Sequence, residues 1–326
     1  FGKTEIEGNL SLKPQFFDKN ILWKEGEGYD TKFVEKTQNR LMDSLLFTSV
    51  FITHPPGLDA KGELPLKIDV IENKHKSINA GVSYQTFYGP GVMFGWENRN
   101  VGGWGRKFSL NLDATKKTHS GTMTLLVPDC FYTDQDFVSK VEAMYESIFT
   151  YFQRSYNWTN RVERRLGSSY LVSMGVRVER LFVEKSVSNG IFSLLEAPLY
   201  FRWNSFEDLL NPTQGSALEY RAVPCVNFSS SFPFFLPQSF RMMFYYPLQK
   251  GRFCVIAQQV RMDVILSTNL KNVPVPKRVL GGTEQDLRGY RYKTVSPLQA
   301  DHPIGGKSAI FYTLEARFRV SKKIGV

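Results

Sequence analysis

From residue 78 onward the chain changes character residue by residue, and it keeps changing with a period of two. Ile78, Ala80, Val82 and Tyr84 alternate with Asn79, Gly81, Ser83 and Gln85, and Phe108, Leu110, Leu112 and Ala114 alternate with Ser109, Asn111, Asp113 and Thr115. Val172, Met174, Val176 and Val178 oppose Ser173, Gly175, Arg177 and Glu179. Ile310, Tyr312, Leu314, Ala316 and Phe318 oppose Thr313, Glu315, Arg317 and Arg319. Successive side chains on a strand point to opposite faces, so each segment has one apolar face and one charged or amidic face. Twelve such segments are predicted, near 78–86, 91–99, 106–115, 120–127, 137–151, 158–167, 170–184, 194–204, 215–227, 238–248, 252–266 and 307–320.

Two architectures accept this pattern. In a water-soluble sandwich the polar faces meet solvent; in a membrane barrel they line a lumen. Periodicity does not separate them, but length favours the barrel. Several segments exceed ten residues, and a tilted strand needs about 9 to 11 to cross hydrocarbon, against about five or six in globular sheets. Aromatic residues near the strand ends (Phe87, Tyr88, Trp104, Tyr151, Tyr156, Trp158, Trp203) suit interfacial girdles. Tight links such as 101–105 and 248–251 alternate loosely with longer ones, as in outer-membrane barrels. Composition excludes a helical membrane protein. No apolar run approaches the roughly 18 to 20 residues a spanning helix needs, and the densest stretch, Phe232 to Leu236, is interrupted by Pro233 and followed by Pro237. A mean hydropathy of −0.27 is compatible with a barrel, whose two faces average out.

Residues 1–76 read differently. A strand near Lys3 to Glu7 is followed by a short helical stretch after Pro14, and a turn at 25–28. Asp30 is placed to cap a second helix whose buried stripe runs through Val34, Leu41 and Leu45, with Thr37 and Gln38 on the same flank. Phe47 to Ile52 and then Leu64, Leu66, Ile68 and Val70 read as strands. The order β-α-α-β-β describes a small α+β domain with helices on one face of a short sheet.

Residues 267–306 form a connection of about 40 residues, far longer than an ordinary loop, and such loops carry function or are disordered. This one contains Arg278-Val-Leu-Gly281-Gly282-Thr-Glu-Gln-Asp-Leu287-Arg288-Gly289-Tyr290. Its glycines permit positive φ or close backbone approach, and Arg288 beside Tyr290 sets a forked cation next to an aromatic.

Gly281-Gly282, a spacer and Leu287-Arg288-Gly289-Tyr290 resemble the [V/I/L]-R-G-[F/Y] signature in the sixth external loop of the BamA/TamA superfamily of outer-membrane assembly barrels. Three further pieces stand in the matching order. Trp23-x-x-Gly26-x-x-Tyr29 with Leu41-x-x-x-Leu45-x-Phe47-x-x-Val50 resembles a POTRA module. Trp96-x-x-Arg99-Asn100-x-x-Gly103-x-Gly105 resembles the second strand and turn of TamA-like members, the nearest branch. Asn211-Pro212-Thr213-x-Gly215 resembles the start of their ninth strand.

The resemblance implies a periplasmic POTRA-like domain at 1–76 and an antiparallel transmembrane barrel at 77–326. It implies an inward-folded loop at 267–306 pinned by Arg288 to Glu315. The family barrel has sixteen strands, so a chain with twelve is expected to be a truncated one; separately, its start at Phe1 without Met or leader is expected of a processed protein or an excised fragment. The implied activity is insertion or secretion of β-barrel substrates, autotransporters included, without ATP, by addition of a substrate strand to the seam strand. That strand, with Asn79, Gly81, Ser83 and Gln85, has a small polar inward set that offers little cross-strand adhesion. Implied partners are unfolded outer-membrane or autotransporter substrates, the lipid bilayer, and a periplasm-spanning protein docked at the first domain or first strand. A two-partner secretion pore shares the same plan, and a passive channel is a weaker fit because the loop folds inward.

Other chemistries find no support. Cys130, Cys225 and Cys254 are too few and too scattered for a disulfide framework or zinc site, and His54, His75, His119 and His302 lie in unrelated segments, so no metal or cofactor is expected. No nucleophile and base stand together, so no enzyme and no catalytic residue is expected. The +10 net charge is spread along the chain, and the densest cluster, Arg161, Arg164 and Arg165, lacks an aromatic platform, so nucleic acid is not an expected partner.

Overall fold

In the computed structural model the described residues are 1–326 except 209, 230–233, 249–253, 284, 285, 288 and 319–326. The chain divides into two compact units. One comprises Phe1–Gly81, Phe94–Asn111 and Met123–Pro128, and the other Val82–Met93, Leu112–Thr122 and Asp129–Val326.

The chain begins with β1 (Thr4–Glu7), α1 (Pro14–Asn20), α2 (Thr31–Asp43), β2 (Phe47–Thr53) and β3 (Leu66–Glu72), in the expected order β-α-α-β-β. The sheet order is β1-β3-β2, with β1 parallel and β2 antiparallel to β3. Pro14 opens α1, where its missing N–H costs nothing. The Asp30 carboxylate accepts the Lys32 amide at 2.8 Å and caps α2. Phe17, Leu41, Ile68, Val70 and Trp23 form a dry core between helices and sheet. The buried stripe ends one turn earlier than expected. Leu45 is exposed at φ 60, just past the helix C-cap Ser44, and Leu46 takes the core position instead. The helix stops at Asp43, so the i+4 spacing that would have buried Leu45 no longer applies there.

Most of the described residues that follow form one large antiparallel sheet. Its strands are β4 (Lys76–Gln85), β5 (Gly89–Val101), β6 (Arg106–Thr115), β7 (Thr118–Val127), β8 (Gln135–Ser147), β9 (Phe152–Leu166), β10 (Tyr170–Glu184), β11 (Gly190–Glu196), β12 (Leu199–Asn204), β13 (Gly215–Ala222), β14 (Cys225–Asn227), β15 (Phe234–Pro247), β16 (Cys254–Ser267) and, after the long connection, β19 (Ser308–Phe318). A two-residue hairpin, β17 (Leu298–Gln299) and β18 (His302–Pro303), lies within that connection.

β11 and β12 both pair with β10, and β13 and β14 both pair with β15, so each couple is one strand interrupted by proline. Pro198 and Pro224 cannot donate to the ladder. Their carbonyls still accept, from Gly175 at 3.0 Å and Ala197 at 2.9 Å, so pairing resumes beyond each break. Counting each couple as one gives, among the described residues, the twelve segments read from the alternation. Among the described residues, β4 and β19 stand at the two ends of the order, each with a single neighbour.

Several strand boundaries differ from the sequence reading, and two of them meet at Tyr151. The segment expected at 137–151 ends at Ser147, and the next begins at Phe152, six residues before its expected start. Tyr151 keeps the two-residue period but turns inward, where its hydroxyl donates to Glu146 at 2.9 Å, so a turn residue mimics a strand residue. Loop lengths also differ. Connections 86–88, 116–117, 148–151 and 185–189 on the side of the long connection are short, like 102–105, 128–134 and 167–169 on the other, and the length gathers in residues 268–307.

Candidate functional site: the long loop on the polar face of the sheet

The faces of the sheet decide its character. Along β10, Val172, Met174, Val176 and Val178 are exposed, Met174 by 60%, while Ser173 and Glu179 are buried. In β19, Ile310, Tyr312, Leu314 and Phe318 are exposed and Phe311 is buried. Polar groups are thus enclosed and apolar groups uncovered, the reverse of a water-soluble sandwich, and this arrangement is stable where hydrocarbon bathes the outer face. Among the described residues no helix is long and apolar enough to cross a membrane.

The loop 268–307 lies against this polar face. At its start, two 3-10 turns, Leu270–Asn272 and Val275–Lys277, place Val273 and Val275 fully buried among Leu181, Val183, Leu194, Phe235 and Ile265, an apolar plug across the strand ends. Asn227 donates to the Asn272 carbonyl at 2.9 Å. Arg278 is a strut within the loop, donating from Nε to the Val273 carbonyl and from Nη1 to the Ile304 carbonyl, both at 2.8 Å.

Beyond the plug, charge holds the loop. Lys277 forms ion pairs with Glu179 and, at 3.0 Å, with Glu196, whose other partner is Arg177. The Glu196 side chain is 1% exposed, so removing a cation here would strand a buried charge. Lys293 donates to the Tyr151 hydroxyl at 2.7 Å and lies 3.5 Å from Glu146, and the Lys293 carbonyl accepts the Thr150 hydroxyl at 2.6 Å. A cavity of about 470 Å³ opens beside both lysines, lined by Asp113, Glu142, Glu146, Gln153, Arg177 and Glu179, among others. On the opposite flank the loop offers an acid. Asp286 stands 3.7 Å from Arg261, which is itself paired to Asp263 at 2.7 Å.

The expected motif residues fall around Asp286. Its carboxylate accepts the amides of Gly282 (3.0 Å), Thr283 (2.6 Å) and Leu287 (2.6 Å) and the Thr283 hydroxyl (2.8 Å), closing the Gly-Gly turn. Gly281 pairs through its backbone with Val295, and Gly282 has φ +96. A Cβ on Gly282 would lie 2.5 Å from the Arg291 carbonyl oxygen, so only glycine fits. Leu287 and Glu315 line one cavity of about 560 Å³, together with Arg241 and Arg317. Glu315 accepts from Arg317 at 3.0 Å. Gly289 has φ +87 with open space around it, and Tyr290 is exposed. Arg288 lies outside the described residues.

On the first strand of the sheet, Asn79 and Ser83 lie over glycines of β5. A Cβ on Gly91 would sit 2.9 Å from the Ser83 hydroxyl oxygen, and one on Gly95 would overlap the Asn79 side chain. Gly81 is half-buried and Gln85 exposed. Other quoted motif residues have local roles. The Trp23 indole donates to Thr4 at 3.0 Å and stacks on Phe1. Gly103 and Gly105, both at positive φ, let the 102–105 turn meet α1. The Lys13 amide donates to the Gly103 carbonyl at 2.8 Å, and a Cβ on Gly105 would lie 2.6 Å from the Phe16 ring. Asn100 spans the same turn, accepting from the Gly105 amide and donating to Ser11, both at 3.1 Å.

Sequence reasoning missed Lys277, Lys293 and Asp286 as anchors. Glu179 stood visibly on a polar face, but nothing local marks a partner 98 residues away. His75, in the link between β3 and β4, packs with Glu72 at 3.1 Å, next to Ser11. Among the described residues, no three His, Cys, Asp or Glu side chains converge as a metal site.

Residues 100–325 match the Omp85 superfamily domain. The chain belongs to the Omp85 superfamily. It is 22% identical over 327 residues to the outer membrane protein assembly factor BamA of Nitratidesulfovibrio vulgaris, covering 95% of this chain and 40% of that protein. The chain thus spans less than half the length of that curated relative. Among solved structures it is similar to BamA from Haemophilus ducreyi lacking POTRA domains 1–3, with a TM-score of 0.85 at 17% identity over 99% of this chain and 68% of the other. It also resembles CdiB from Escherichia coli, with a TM-score of 0.58 at 11% identity over 98% and 62% of the two chains. This Omp85 chain is an outer-membrane β-barrel protein with a periplasmic portion, of the BamA/TamA type, so its exposed apolar face meets lipid and its polar face is lumenal.

Proposed function

We propose that this Omp85 chain is an assembly and translocation factor that inserts or secretes β-barrel substrates, autotransporters among them, by strand addition at β4. The observation that carries the proposal is the pairing pattern. β4 ends the sheet order with one neighbour among the described residues, and its inward side chains are small and polar. An edge strand is a template for another strand, and such an edge gives weak cross-strand adhesion to whatever closes against it. Residues 1–76, with β1 to β3 and two helices, act as a periplasmic POTRA module that delivers substrate or docks a periplasm-spanning partner, and residues 77–326 form the barrel. By the motif it occupies, Arg288 is the residue proposed to pair with Glu315 and hold the loop. No cofactor or nucleoside triphosphate takes part. The Trp96 to Gly105 motif favours the TamA-like branch.

A two-partner secretion pore is the second reading, favoured by the likeness to CdiB but with a TM-score of 0.58 against 0.85 for BamA. Depletion in the native host with quantitative outer-membrane proteomics separates the two. Loss of several barrel proteins or autotransporters is expected, and an Arg288→Ala chain is expected not to restore them. Loss of one exoprotein with barrel proteins unchanged would favour the secretion pore. An unchanged proteome would end both readings.

A further inference from the structure

Three consecutive loop residues, Arg291, Tyr292 and Lys293, each bear on a hairpin turn of the sheet. The Tyr292 ring packs on Phe87 and Tyr88, with ring centres 4.6 and 5.5 Å apart. Those two residues lie in the 86–88 turn that joins β4 to β5, and Lys117 Nζ covers Phe87 at 3.7 Å from its ring centre. The flanking residues go the other way, to the 148–151 turn between β8 and β9. Arg291 sits 3.9 Å from the ring centre of Phe149, and Lys293 binds Tyr151 through its ammonium and Thr150 through its carbonyl. The segment is tied back to the glycine pair of the motif, since the Lys293 amide donates to the Gly282 carbonyl at 3.3 Å.

These contacts join two turns whose strands stand four places apart in the sheet order. Sheet hydrogen bonding does not require any of them, since each hairpin is complete without the loop. The contacts to the 86–88 turn are ring stacking alone, specific in placement and modest in strength, whereas those to the 148–151 turn add hydrogen bonds from Lys293 and Thr150, so the joint can part at the 86–88 side and have two discrete arrangements, seated and released.

We infer that residues 291–293 are a clamp fixing the outer end of β4 to the loop, with Tyr292 as the positioning residue. The clamp rests on the strand-addition reading for its role. While it is seated, the edge strand is held in register on β5; its release frees the 86–88 turn and lets β4 tilt to receive a substrate strand. The loop then regulates the seam from the outer side, and the glycine at 282 serves the clamp by letting the backbone at Arg291 approach.

The test uses the full chain in lipid nanodiscs, with Cys130, Cys225 and Cys254 replaced by alanine and nitroxide labels at Thr86→Cys and Val187→Cys. Electron-electron distance distributions report the seated and released populations. Tyr292→Ala is expected to raise the released population about tenfold, as loss of two aromatic contacts should. Tyr292→Phe is expected to match the parent, because the rings and not the hydroxyl carry the joint. Phe87→Ala reaches the same cluster from the turn and is expected to reproduce Tyr292→Ala, which keeps the test open should one variant fold poorly. Distributions unchanged in both alanine variants would overturn the clamp, as would a Tyr292→Phe chain as loose as Tyr292→Ala. Substrate assembly measured with the same variants separates the two readings. Loosened labels with unaltered assembly rates would overturn control of the seam and leave strand addition standing. A parent chain that assembles no substrate would end the strand-addition reading while the label distances still decide the clamp.

Discussion

The two ends of this sequence solve opposite solvent problems with the same amino acids. In the first 72 residues Leu41 and Ile68 are wholly buried, and the charges other than Glu72 lie outside or partly so. Along β10 Met174 is 60% exposed, while Glu179, and Glu196 on neighbouring β11, are buried against a loop lysine. One region is held by apolar contact and the other by its hydrogen-bond ladder, with polar pairing inside it. A single hydrophobicity rule applied to both would turn one of them inside out.

The largest test of that contrast compares truncations. Leu41→Ala is expected to cost about 2–5 kcal/mol, because it opens a cavity in a dry core. Val176→Ala, on the exposed face of β10, is expected to stay within about 0.5 kcal/mol in lipid, where the missing methyls are replaced by acyl chain. Hydrogen exchange of α2 and of β10 in the full chain reads both. Equal costs at the two sites would break the comparison.

A smaller effect probes where the N-terminal region uses charge. Glu72 is mostly buried, which raises its pKa, but the Ser11 hydroxyl, the amides of Ser11 and Leu10, and His75 outweigh that and hold the carboxyl down at about 2. Its stabilisation is therefore complete above the ordinary value of 4.5 and is lost as the pH falls through about 2. Glu72→Gln is expected to weaken the region by about 1–3 kcal/mol at neutral pH, and the gap from the parent is expected to close between pH 4.5 and about 2. A gap that persists at the acid end would assign the loss to packing.

Much of this was legible in the sequence because it is local. Alternation gave the strands and their faces, Asp30 gave the α2 cap, and the glycine-spaced motif marked the loop. The prolines at 198 and 224 broke strands that the periodicity ran straight through, since a two-residue pattern carries no information on missing donors. Tyr151 mimics a strand residue because its inward direction fits the period. The anchors were hidden for another reason. Lys277 to Glu179 and Lys293 to Glu146 are ion pairs across 98 and 147 residues, and one sequence gives a lysine in a loop no sign of which carboxylate it meets. Leu287 was legible from its motif, and the cavity it shares with Glu315 is a matter of the fold alone.

Everything about the sheet turns on which of its faces meets lipid. Single cysteines at residues 172 to 179 of the full chain in bilayers, each labelled with a fluorophore and exposed to a lipid-phase quencher and then to a water-soluble one, measure this directly. Quenching from lipid at 172, 174, 176 and 178, with protection at 173, 175, 177 and 179, is the expected result. Water-soluble quenching at the even positions, or no alternation along β10, would contradict it.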